Sequence, residues 1–133
     1  MIEYCYQKTT HEELLDLIKW AQNVLSLRDW TITLDTGLKI PRRLMPGKDS
    51  DYEGLAFMQA DRMFAEIWIP LDRLRTENSN PIEACCHELV HVLLNNNNGP
   101  DDDERLVRII SPLLYMAYCK AKGNRVSLTK DIQ

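Results

Sequence analysis

The chain has 133 residues, 44% of them hydrophobic, and carries a formal net charge of -4. Its size suits one compact domain, 1–133, that buries about two-thirds of the surface the unfolded chain exposes. The acidic balance offers no broad cationic face for phosphate, and no apolar run reaches the roughly 18 residues a membrane span needs, so neither nucleic acid nor a membrane is an expected partner.

The first periodic segment is Thr9 to Leu27. Thr9-x-x-Glu12 has the form of a capping box, and Leu14, Leu15, Ile18, Ala21, Val24 and Leu25 recur at three- and four-residue steps, which predicts an amphipathic helix. At Trp30 the period becomes two: Trp30, Ile32 and Leu34 alternate with Thr31, Thr33 and Asp35 up to Gly37, the pattern of a strand. Pro41, Pro46, Gly47 and several charges make 39–52 a loop, and its basic residues Lys39, Arg42, Arg43 and Lys48 read as a solvated rim. Gly54 to Met58 and Phe64 to Ile69 are two further strands, the second closed by Pro70.

After the polar stretch 76–80, Asn80 can cap a helix with Pro81 at its first position and Glu83 three residues after the cap. That helix runs through His87 and His91 to about Leu94, then gives way to Asn95–Asn98, with Gly99 as a C-cap. Pro100 and the acids Asp101 to Glu104 open a third helix with an apolar stripe of Leu106, Ile109, Ile110, Leu113 and Leu114, which Pro112 is placed to kink. Residues 123–133 form a polar tail.

The four cysteines form neither a spaced disulfide set nor a CxxC knuckle, since Cys85 and Cys86 are adjacent and Cys5 and Cys119 lie near opposite ends. The start Met1-Ile2-Glu3-Tyr4 lacks a basic region followed by an apolar one. A cytoplasmic monomer with reduced thiols is the expectation.

The chemistry centres on His87-Glu88-Leu89-Val90-His91. Residues four apart on a helix share a face, so both imidazoles can meet one ion. Glu88 projects about 100° round from His87, where it can reach a water on that ion without being a ligand. Zinc hydrolases use this arrangement, because the ion acidifies the water and the carboxylate takes its proton. Two helical histidines can also be plain solvent-facing residues. Against that, Glu83 and the motif residues aside, 82–94 are apolar or cysteine, so the helix is covered on most sides and its polar groups need partners.

An open zinc site takes a third protein ligand. The remaining histidine, His11, lies in the first helix, and the extended HExxHxxGxxH pattern fails because its later positions hold Leu94 and Asn97. A carboxylate of Asp101-Asp102-Asp103-Glu104 is therefore required. Glu104 has the longer reach, Asp103 lies closer to the centre of the apolar stripe, and helix capping is the simpler role for both.

On these residues the sequence resembles a gluzincin-type zinc metallopeptidase, and more narrowly the minimal minigluzincins and the antirepressor-type peptidases of mobile elements and phages. The likeness rests on His87 to His91 with Glu104 on the next helix, and the order of elements extends it from about Thr10 to Cys119. It implies a zincin-like fold, zinc held by His87, His91 and Glu104, and Glu88 as general base. It also implies a substrate peptide pairing antiparallel with an edge strand just before the active-site helix, a place that Phe64 to Ile69 fits. The chain departs from many gluzincins at Arg108, where an Asp or Asn would support a ligand histidine. For the oxyanion, commonly met by a Tyr or His, Tyr115, Tyr118 and Arg108 are all available, each with an ordinary structural role as alternative.

Trp20, Trp30 and Trp68 read as core, Glu66 as a solvated residue of the presumed edge strand, and Cys86 as a buried thiol facing away from the histidines. The expected fold is α+β: an N-terminal helix on a small, twisted, three-stranded sheet, then the HExxH helix and the helix with the third ligand. The expected activity is zinc-dependent endopeptidase. The alternatives are a zincin scaffold that turns over little and binds a protein partner such as a repressor, a structural zinc domain closed by His11 or Cys86, and a latent peptidase covered by 123–133.

Overall fold

The first helix, α1, spans His11–Val24 and begins on Thr10, whose hydroxyl accepts from the Glu13 amide at 3.1 Å while the Glu13 carboxylate accepts from the Thr10 amide at 3.0 Å. This is a capping box one residue later than the sequence pattern suggests. Thr9, one residue earlier, is buried, and its carbonyl accepts a hydrogen bond from Arg75. The structure is a computed structural model, and it describes residues 8–41, 53–94 and 101–123, the last stretch with side chains from Glu104 onward. The basic residues 42–48, Cys5, the asparagine run with Gly99, and 124–133 therefore lie outside the described residues.

Leu14, Leu17, Ile18 and Ala21 carry the buried face of α1, whereas Leu15 and Val24 are exposed. The helix also stops short of Leu27. Leu25 is its C-cap, Ser26 takes a left-handed φ of 59°, and the Gln22 amide donates to the carbonyls of Leu27 and Trp30 at 3.0 and 2.8 Å. Those bonds turn the chain into the sheet.

The sheet holds β1 (Thr31–Asp35), β2 (Leu55–Gln59) and β3 (Phe64–Trp68) in the order β1-β3-β2. β3 runs parallel to β1 and antiparallel to β2, so Glu66 lies between Thr33 and Phe57. The expectation of an edge strand at 64–69 is thus overturned: β3 is the central strand, with neighbours on both sides. Its composition fits that place, since Ala65, Ile67, Trp68 and Ile69 are all buried. Glu66 is half-buried on the same strand. Trp68 is core, as expected, with its indole N–H donating to the Gly37 carbonyl at 2.8 Å.

A short helix that the periodicity does not announce, α2 (Leu71–Thr76), follows, burying Leu71 and Leu74. Next comes α3 (Pro81–Leu94), and α4 (Asp101–Ala121) packs against it. α4 runs 21 residues with Pro112 inside it. Its core face is Val107, Leu114, Tyr115, Tyr118 and Cys119. Of the expected stripe, Leu106, Ile109 and Leu113 instead face solvent. The phase of α4 is set by tyrosines: Tyr115 OH accepts from Asn80, and Tyr118 OH donates to Asp16 of α1 at 3.2 Å while its ring meets Trp20 edge-on at 5.2 Å. Among the described residues the result is an α+β fold of four α-helices and a three-stranded mixed sheet. None of the described helices is long and apolar enough to cross a membrane.

Candidate metal centre

The α3 helix is anchored at its start. Asn80 Oδ1 accepts from the amides of Ile82 and Glu83 at 2.9 and 3.4 Å, and Asn80 Nδ2 donates to Tyr115 OH at 2.9 Å, so one side chain caps α3 and ties it to α4. The helix is buried on most sides, through Pro81, Ile82, Ala84, Cys85, Cys86, Leu89, Val90 and Val92. His87 and His91 come up one turn apart on the remaining face, with ring centroids 5.0 Å apart and planes inclined by 70°.

α4 brings Glu104 across from the facing side. His87 Nε2 is 3.1 Å from Glu104 Oε2, and His91 Nε2 is 3.2 Å from Glu104 Oε1, so one carboxylate meets two imidazoles, each through its own oxygen. Ligand atoms on a tetrahedral ion with bonds of about 2.0–2.2 Å lie about 3.3–3.6 Å apart. The three ligand atoms here all fall within 4.8 Å of one another, so the group can hold a metal ion with small adjustments. A hydrogen bond alone would bring one imidazole to a carboxylate. Convergence of both on the same carboxylate is what a bound metal requires, and divalent transition metals accept this donor set.

Glu88 sits beside this group, only 7% exposed. Burial, reinforced by the negative charge of Glu104, pushes its carboxyl up to about 8. Burial also lowers the His87 imidazole below its ordinary value, with the Glu104 carboxylate pulling the other way. A neutral imidazole is the form that binds a metal.

Glu88 opens into a cavity of about 480 Å³ lined by Glu53, Gly54, Glu83, Ala84, His87 and Ser111. Four of these are functional candidates that the sequence reading missed. Glu83 had a signal, standing four residues before His87 on the same face of α3. Glu53, Gly54 and Ser111 had none, because tertiary packing alone brings them there. At Gly54 a side chain would meet Ile69 Cδ1 at 2.8 Å, the Trp68 carbonyl at 3.1 Å and Glu88 Cγ at 3.3 Å. A glycine lets the chain pass close over Glu88.

The other candidates sort clearly. His11 Nδ1 lies 2.9 Å from Thr36 Oγ1 and takes no part in the group. Cys86 is fully buried, its thiol held well above the usual range by burial, and burial pushes Cys119 up to about 11. The group therefore has three members among the described residues, not the four of a closed structural site. The Asp103 side chain lies outside the described residues. Of the three oxyanion candidates, Tyr115 and Tyr118 are engaged by Asn80 and Asp16, whereas Arg108 stands at the site, its Nε 3.5 Å from Glu104 Oε2 and its side chain 75% exposed. Comparison of the chain with protein-family models, with curated proteins and with solved structures gives no match in any of the three.

Proposed function

We propose that the chain is a zinc-dependent endopeptidase in which His87, His91 and Glu104 hold the ion and Glu88 is the general base. The observation that carries this reading is the meeting of His87 and His91 on a single Glu104 carboxylate, with the buried Glu88 carboxyl next to them at the wall of an open cavity. The gluzincin likeness rests on the same residues and adds the assignment of peptides as substrates.

A zinc ion, when bound, supplies the positive charge that acidifies water and polarises the scissile carbonyl. Glu88 takes a proton from the attacking water at its carboxylate and returns it to the nitrogen of the leaving amine. Arg108, exposed beside Glu104, is the cationic group placed to meet the developing oxyanion. Since β3 is central, the strand that offers a backbone edge to an extended peptide is β2, which begins beside Gly54 at the cavity wall.

Hydrolysis of a quenched peptide library by zinc-loaded wild type and Glu88→Gln tests this reading. The variant should keep its zinc and lose about 10²–10⁴-fold in rate, the usual contribution of a positioned base. Equal rates in the two proteins, or no hydrolysis by zinc-loaded wild type, would sink it.

A further inference from the structure

Helix α4 turns an apolar face to solvent. Leu106, Ile109, Leu113 and Met116 are 46%, 57%, 60% and 38% exposed, while Val107, Ser111, Leu114, Tyr115 and Tyr118 are buried. At about 100° of rotation per residue the two sets centre on nearly opposite sides of the helix. A surface helix ordinarily carries polar residues on its outer side. The four exposed residues follow one another at steps of three, four and three, the spacing of a seam that a second helix fills.

We propose that this face pairs with α4 of a second copy of the chain, the two helices running antiparallel about a twofold axis, so that Leu106 meets Met116 of the partner subunit and Ile109 meets Leu113 of the partner subunit. The charge along the helix selects this occupant and this direction. α4 opens on Asp101, Asp102 and Asp103 and carries Lys120 in its last turn, whereas Lys122, just past its end, is held by Asp16 at 2.6 Å. Antiparallel pairing sets the acidic start of each helix beside the basic end of the other and opposes the two helix dipoles favourably. Parallel pairing would set acid on acid, and an anionic membrane surface would repel the acidic start. Glu104 meets the histidines of α3, away from the seam, so the pairing leaves the metal group uncovered and does not depend on the function proposed above.

Sedimentation equilibrium over a concentration series tests the pairing. Wild type should move from one to two chain masses as concentration rises. Ile109→Glu and Leu113→Glu, both at exposed positions, should stay at one chain mass with unchanged helical circular dichroism. On oxidation, a Leu106→Cys/Met116→Cys double variant should give a covalent dimer and neither single variant should, a readout independent of the glutamate variants. A wild type that stays monomeric at every concentration overturns the proposal, all the more if it binds phosphatidylglycerol vesicles. So does a dimer that Leu113→Glu leaves intact, or a single-cysteine variant that links to itself as readily as the double.

Discussion

Glu88 is a carboxyl with its proton affinity raised by burial and by Glu104, which gives the metal-free protein a distinct response to pH. In the folded state the group holds its proton up to about 8, whereas an unburied carboxyl releases it near 4.5. Its contribution to stability is therefore full below about 4.5 and lost as pH rises through about 8. His87 acts in the opposite sense: its lowered value gives stability that is present above 6.5 and lost as pH falls through the folded value. Thermal melts of chelator-treated protein should show a decline in midpoint from pH 6.5 to 8, above the range in which His87 acts against it, and Glu88→Gln should flatten it. The same slope in both proteins would mean that Glu88 is not the buried acid described. The residues of this site were legible unevenly. The helical period alone placed His87, Glu88 and His91, and the need for a carboxylate narrowed the third ligand to the acids opening the next helix. No local pattern could show that Ser111 and Glu53 border the same cavity, since packing of α3, α4 and the start of β2 decides it.

At the scale of elements, the junction of α3 with α4 hangs on Asn80. Asn80→Ala removes the cap and leaves the buried Tyr115 hydroxyl without this donor, so a loss of about 1–3 kcal/mol is expected in urea unfolding. Asn80→Asp keeps the cap acceptor and loses the donor to Tyr115, so it should fall between the two. A full-strength Asn80→Ala protein would deny the junction its role. The start of β2 has its own test. Gly54→Ala places a methyl against the Trp68 carbonyl and Glu88, which should cost about 1–3 kcal/mol and depress hydrolysis while zinc stays bound. Retained activity with unchanged stability would remove the close approach from the account. Start signals such as Asn80-Pro81 were readable because capping is local chemistry. The rank of the strands was not, because parallel pairing of β1 with β3 joins segments about 30 residues apart and leaves no turn signal between them. The buried run Ala65 to Ile69 was the available hint that β3 is central. In α4 the apolar residues occupy two opposite faces, so periodicity alone could not say which one meets the core.

Across the whole molecule, an ion held between α3 and α4 joins the two helices that build most of the core around the site. Binding to the folded state alone stabilises it by mass action, about 2.7 kcal/mol at one hundred times the dissociation constant. For a domain of this size that corresponds to a rise of roughly 10 °C in melting midpoint. Zinc should produce this rise in wild type and in Glu88→Gln, and fail to do so in His91→Ala and Glu104→Ala. A rise that survives either ligand variant would place the ion elsewhere. The most direct test of the central claim is an anomalous difference map collected across the zinc absorption edge from crystals of the zinc-loaded protein. One peak is expected, bonded to Nε2 of His87, Nε2 of His91 and a carboxylate oxygen of Glu104, with no fourth protein ligand on the side of Glu88. A map without density at that point, or with the ion closed off by four protein ligands, would contradict it.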